Sequence, residues 1–208
     1  MDSKKHPQAV VSVVDDDKPT RDIICEMVAA MGHKVNQFVS GDEFLQKYTK
    51  SPLECLVLDI RMPGISGMEL LAKLADDNIY IPTIIITGHG DIPMALEAID
   101  KGAVDFLEKP FREQALLESI TKALDTCNAE RSKRQGRNDL LETLSSLTDR
   151  DIDVLKLLIN GDSDKQIAHK LDISRRAVAF HRANILEKSG FSSVVNLATS
   201  ITKYTISL

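Results

Sequence analysis

The chain has 208 residues, 43% of them hydrophobic and 27% charged, with a net charge of −5; this is an ordinary globular mixture, long enough for one large or two modest cores. No apolar run approaches the roughly 20 residues of a membrane span, and Met1-Asp2-Ser3-Lys4-Lys5-His6-Pro7 lacks a signal-peptide core, so the expectation is a cytoplasmic protein with no membrane partner. Cys25, Cys55 and Cys127 are lone and the histidines scattered, which argues against a zinc site or a disulfide framework.

Strand and helix patterns alternate through the first half. Val10-Val11-Ser12-Val13-Val14 reads as an apolar strand running into Asp15-Asp16-Asp17. Lys18 to Met31 has helical spacing (Ile23, Ile24, Met27, Val28, Met31) and stops at Gly32; Val35 to Val39 predicts a short strand and Gly41 to Tyr48 a short helix. A second apolar strand, Cys55-Leu56-Val57-Leu58, ends in Asp59; a turn with Pro63-Gly64 and Ser66-Gly67 leads to a helix from Met68 to Ala75. Pro82 opens a strand, Ile84-Ile85-Ile86, that ends in Thr87, and Ile92 to Lys101 is helical up to Gly102. A short strand from Val104 to Leu107 runs into Glu108-Lys109-Pro110, and a longer helix follows from Glu113 to about Ala129. Five βα units predict an α/β doubly wound, flavodoxin-like domain with a five-stranded parallel sheet over residues 7–125.

Residues 126–142 are polar and charged without apolar periodicity, which predicts a partly helical linker. No strand signal follows. Thr148, Ser163 and Ser174 are expected caps of three helices, Ser192 or Ser193 of a fourth, and Leu171-Asp172-Ile173-Ser174 joins two of them in a helix-turn-helix pattern. Residues 143–208 are therefore expected to form an all-α domain. Charge divides unevenly: residues 1–136 carry 16 Lys/Arg against 22 Asp/Glu, and residues 137–208 carry 10 against 9. So small an excess favours nucleic acid only where it is clustered, and it is clustered: Arg175, Arg176, Arg182 and Lys188 face a lone Glu187 within 174–189.

In an open parallel sheet, ligands sit beyond the carboxyl ends of the strands. If these strands are neighbours, the Asp15–Asp17 run, Asp59, Thr87 and Lys109 converge there. Crowded carboxylates repel, so the site calls for a hard cation, most plausibly Mg²⁺, with room for phosphate oxygens. This reads as a phosphoryl-transfer site. Helix capping alone needs one acid, not three; an aspartate-nucleophile phosphatase would carry a second acid where Arg61 stands; a flavin carrier would want a Ser/Thr-rich phosphate loop where the aspartates lie, and aromatics to sandwich the flavin, whereas the chain has no Trp.

Val14-Asp15-Asp16-Asp17, Leu58-Asp59-Ile60-Arg61-Met62-Pro63-Gly64, Ile86-Thr87-Gly88-His89-Gly90 and Ala103-Val104-Asp105-Phe106-Leu107-Glu108-Lys109-Pro110-Phe111 together resemble the receiver domain of two-component response regulators, nearest the FixJ-like branch. The resemblance implies that Asp59 accepts a phosphoryl group from the phosphohistidine of a sensor histidine kinase. It implies Mg²⁺ among Asp15, Asp16, Asp59 and the Arg61 carbonyl, Lys109 on a phosphate oxygen, and a switch of Thr87 and Phe106 that leads to a phosphorylation-driven homodimer. Arg61 and His89 would flank the path of the hydrolytic water.

The run from Leu147-Thr148-Asp149-Arg150-Asp151 through Lys165-Gln166-Ile167-Ala168 to His181-Arg182, Ile185 and Lys188 resembles the LuxR-type DNA-binding domain. Double-stranded DNA is then the expected partner, with Lys165, Arg175, Arg176, Arg182 and Lys188 the expected contacts and transcription regulation the expected function. Asp151, Ala177, Ala179 and Ser189 stand where that family usually has Glu, Thr, Lys and Leu, so Ala179 removes one phosphate contact. Two other classes remain: a dimerisation bundle, and a receiver that acts by protein–protein contact after losing DNA binding.

Overall fold

The computed structural model describes residues 8–88, 92–206 and 208; His89 lies outside them. Two compact units result, Met1–Arg131 and Ser132–Leu208.

In the first unit the elements run β1 (Val10–Val14), α1 (Lys18–Ala30), β2 (Lys34–Phe38), α2 (Gly41–Lys47), β3 (Glu54–Asp59), α3 (Gly67–Asp76), β4 (Thr83–Thr87), α4 (Ile92–Asp100) and β5 (Ala103–Glu108); α5 (Glu113–Ser145) begins in this unit and ends in the second. All strand pairs are parallel, in the order β2-β1-β3-β4-β5. Burial explains the apolar runs. Every residue of β3 and β4 is buried, as expected of central strands covered on both faces. Their side chains alternate: Cys55, Val57, Ile84 and Ile86 join Ile24 and Val28 of α1 and Leu116 and Ile120 of α5 in one core layer. Leu56, Leu58 and Ile85 join Phe44, Leu70, Leu74 and Ala98 in the other.

The helix expected to end near Ala129 continues to Ser145, so residues 126–142 are helical throughout rather than in part. The sequence here is polar yet rich in good helix formers, and Gln135 donates to Asp139 one turn on, at 2.7 Å. Between Thr126 and Asp139 no residue is buried, so no apolar stripe betrays the helix there; Leu140 and Leu144 beyond are buried. Gly136 would ordinarily weaken such a helix, but a Cβ there would overlap the Tyr204 hydroxyl, so the small residue admits that ring.

The second unit adds α6 (Asp149–Ile159), α7 (Asp164–Lys170), α8 (Arg175–Ser189) and α9 (Val194–Lys203). Thr148, Ser163, Ser174 and Ser193 each accept a hydrogen bond from a backbone N–H in the first turn of their helix, and the caps at Thr148 and Ser163 are reciprocal boxes. Leu144, Leu155, Ile167, Val178, Ile185 and Leu197 form the core.

Candidate functional site

The strand order sets the chemistry. Val14 pairs with Leu58, Asp59 with Ile86, and Thr87 with Glu108, so the residues ending β1, β3, β4 and β5 meet at one edge of the sheet, where the order reverses between β1 and β3. There the Lys109 ammonium donates to Asp15 Oδ2 at 2.8 Å and to Asp59 Oδ1 at 2.6 Å, joining side chains 94 and 50 residues apart. The Lys109 N–H donates to the Thr87 carbonyl at 2.7 Å, which ties β5 to β4 at the mouth of the site. Asp15 Oδ1 accepts from the Asp17 N–H at 2.9 Å and Asp59 Oδ2 from the Arg61 N–H at 2.8 Å.

Asp15 and Asp59 are buried, at 0% and 4% exposure. Burial pushes the Asp59 carboxyl above the ordinary Asp range and the Asp15 charge adds to this, while Lys109 and the Arg61 N–H hold it down. Burial also works against the Lys109 ammonium, but its bonds to the two carboxylates outweigh that and raise its pKa. The result is an ion triad with more negative charge than its ammonium balances. A nucleophilic carboxylate oxygen so placed can attack an electrophilic phosphorus if the incoming negative charge is offset.

Thr87 is buried at the end of β4, and Phe106 is half-buried against the α2–α3–α4 core layer. Asp16 and Arg61 are exposed. Among the described residues no three His, Cys, Asp or Glu side chains stand together as a ready metal cage. Of the expected metal set, therefore, Asp15 and Asp59 are brought together, the main chain of Arg61 is bound to Asp59, and Asp16 stays in solvent. Gly88 is exposed and has open space where a Cβ would stand.

Two supports were not foreseen. Arg21, buried, donates from Nη1 to the Asp15 carbonyl at 2.6 Å and so clamps the acidic loop. Its signal was its spacing, three and seven residues before Ile24 and Val28 on the buried face of α1. Gly67 packs behind the Asp59 main chain: a Cβ there would overlap the Asp59 carbonyl oxygen. Gly67→Ala is expected to cost about 2 kcal/mol through this backbone clash. Urea unfolding checks it, and a change below about 0.5 kcal/mol would mean the loop can give way.

In the second unit, Asp151 is fully buried and joins α6 to α8. It accepts from His181 Nδ1 at 2.8 Å, Asn184 Nδ2 at 2.9 Å and the Thr148 N–H at 3.1 Å, with the Lys188 ammonium 3.7 Å away. These bonds outweigh burial and hold its carboxyl far below the usual range. An ionised carboxylate only accepts, so the His181 Nδ1 carries the hydrogen. Lys165, Arg175 and Arg176 are exposed, the latter two in the first turn of α8. Arg182 pairs with Asp164 at 3.2 Å, and Lys188 donates to the Ser146 carbonyl at 3.2 Å. Phe180 is exposed on the same helix and was not anticipated.

Residues 11–121 match the family model described as response regulator receiver domain, and residues 145–201 that of bacterial regulatory proteins, luxR family. The response regulator protein TodT of Pseudomonas putida is 41% identical over 189 residues, covering 91% of this chain and 83% of that protein. The transcriptional regulatory protein FixJ of Rhizobium meliloti is 41% identical over 187 residues, covering 90% and 92%. Among solved structures, the response regulator StyR superposes with a TM-score of 0.82 at 41% identity over 95% of this chain and 100% of that one. Receiver domains of this family generally bind Mg²⁺ at the acidic pocket. No helix among the described residues is long and apolar enough to cross a membrane. The chain thus belongs to the two-component response regulators of the NarL/FixJ family, in which a receiver and a LuxR-type helix-turn-helix domain make a phosphorylation-dependent transcription regulator rather than an enzyme.

Proposed function

We propose that a receiver over residues 7–125 takes a phosphoryl group on Asp59 from a sensor histidine kinase, and that a linker over 126–142 joins it to a DNA-binding domain over 143–208. One observation carries the reading: a single ammonium, Lys109, holds the two buried carboxylates of Asp15 and Asp59 at the carboxyl edge of the sheet. An Asp59 oxygen attacks phosphorus, the phosphorus–nitrogen bond to the kinase histidine breaks, and an acyl phosphate forms. Lys109 then turns to a phosphate oxygen. The donor set of Asp15, Asp16, Asp59 and the Arg61 carbonyl is all hard oxygen and over-negative, which suits Mg²⁺; when bound, that ion offsets the charge of the incoming phosphate. Loss of the phosphoryl group to water is assisted at the same site.

Thr87 moves onto the phosphate and Phe106 follows it inward, which turns a gain of roughly −1.5 to −2 charges into a packing change at α4 and β5. Leu96 and Ile99 are exposed on α4 and supply an apolar face for a homodimer. Two helix-turn-helix domains then engage two half-sites of double-stranded DNA together. Arg175 and Arg176 enter the major groove, and Lys165, Arg182 and Lys188 meet phosphates, the last two exchanging Asp164 and Ser146 for DNA. Three free cysteines fit a reducing cytoplasm.

Sedimentation with and without a phosphoryl donor, followed by duplex titrations at several salt concentrations, tests the whole. The expected result is a shift from monomer to dimer on phosphorylation, and tighter DNA binding with it. Ala at Arg175 or Arg176 should lower the ratio of cognate to random binding. Ala at Arg182 or Lys188 should weaken both and reduce the salt slope by roughly one ion each. Identical mass and affinity with and without donor would overturn the coupling.

A further inference from the structure

The outer face of α8 has an unusual composition for a helix that carries four basic residues. Counting by turns from Arg176, the solvent-facing stripe runs through Ala179 and Phe180 to Ala183, all exposed, while Val178 and Ile185 point into the core. Phe180 is 67% exposed, whereas the other described phenylalanines are buried or half-buried. An apolar ring of that size left in water gains from any partner that covers it.

Its orientation is supported from within. The Phe180 ring meets the His181 ring edge-on, with centroids 5.6 Å apart at 74°. His181 is in turn held through Nδ1 by the buried Asp151 carboxylate at 2.8 Å. The ring therefore stands on a fixed neighbour.

The flanking residues name the partner. Arg175 and Arg176 stand a turn before Phe180, and no acidic side chain lies between Arg175 and Ala183. Ala179 and Ala183 carry only a methyl each, so the helix backbone can come close to a surface while the one long apolar side chain reaches deeper. A polyanion with an apolar spot recessed in a groove fits this relief. In duplex DNA that spot is the thymine C5-methyl, the apolar group displayed in the major groove.

We propose that Phe180 is a specificity-determining residue that packs on the C5-methyl of thymine in each half-site, between bases met by the Arg pair and the backbone beyond. The inference rests on the DNA-binding reading of the domain and adds a base identity to it. Arginine forks favour guanine; the Phe180 ring requires a thymine next to it, one helical turn along the recognition helix.

The test uses the full chain in the presence of a phosphoryl donor, with two pools of randomised short duplexes, one containing thymine and one containing deoxyuridine in its place. The wild-type chain should enrich thymine at fixed positions of the first pool and lose that preference in the second. In the enriched duplex, exchanging those thymines for uracil should weaken wild-type binding roughly three- to five-fold for each methyl removed, the worth of one buried methyl-sized group. Phe180→Ala should bind both duplexes alike, and Phe180→Leu, still apolar, should keep part of the difference. If Phe180→Ala enriches the same thymines, or pays the same penalty for uracil, the inference fails while DNA binding stands. If the wild-type chain enriches no sequence, the DNA-binding reading itself fails and the inference with it. A lower sedimenting mass of Phe180→Ala without DNA would assign the ring to a contact between copies and overturn the proposal.

Discussion

Asp59→Ala is expected to reduce acid-labile labelling by a phosphohistidine donor to background while the chain stays folded. The nucleophile must be an ionised carboxylate within reach of the incoming phosphorus; Asp59 has one oxygen on Lys109 at 2.6 Å and the second steadied by the Arg61 N–H. Asp15 is held likewise on both oxygens, by Lys109 and the Asp17 N–H, but its side chain is fully buried where that of Asp59 keeps 6% exposure. Stability should move the other way. Burial raises the Asp59 pKa above its ordinary 3.8, so the folded state tolerates this charge less well than the unfolded chain does. Stability linked to Asp59 is thus fully present below about pH 4 and lost as pH rises through the raised folded value. Asp59→Asn, which cannot ionise, should therefore melt at neutral pH no lower than wild type, and the difference should shrink in acid. Phosphotransfer assays with thermal melts at several pH values decide it. Labelling of either variant at the normal rate would move the nucleophile elsewhere.

The second large effect belongs to Asp151. Asp151→Ala is expected to destabilise the helix-turn-helix unit by about 3 kcal/mol, because it strips a buried acceptor from His181, Asn184, Lys188 and the Thr148 N–H at once. For a unit of this size that lowers its melting transition by roughly 15 °C. Here the carboxyl is held below its ordinary 3.8, so the sign is opposite to that of Asp59. Its contribution is fully present above about pH 4 and is lost as pH falls below that range towards the depressed value. Asp151→Asn keeps the shape but reverses one acceptor into a donor, and it should flatten the acid limb of the stability curve. Helical circular dichroism against temperature between pH 2 and pH 7 would show this. A change in stability under about 0.5 kcal/mol for Asp151→Ala would mean that the donors find water instead.

The acidic pocket was legible because its parts sit at the ends of apolar runs, and an apolar run too short for a helix and buried on both faces has few readings other than a central parallel strand. The caps were legible for an equally local reason: Thr148, Ser163 and Ser174 each reach a backbone N–H in the turn that follows them. These depend on neighbours in the chain, so the sequence alone determined them. It also displayed the aspartates, the threonine and the lysine, but only as a conditional site.

Tertiary structure decided the condition. Strand order is a matter of which faces can be covered together, and only β1 beside β3 puts Asp15 within reach of the ammonium that also holds Asp59. It decided the length of α5 as well, because Leu140 and Leu144 find a core that residues 126–142 do not announce. It turned Asp151 from a shortened acid into the buried tie between two helices. It drew Arg182 and Lys188 towards Asp164 and Ser146, and left Phe180 in solvent. A local pattern reports what a side chain can do; long-range packing decides which partners are near enough for burial and charge to act on it.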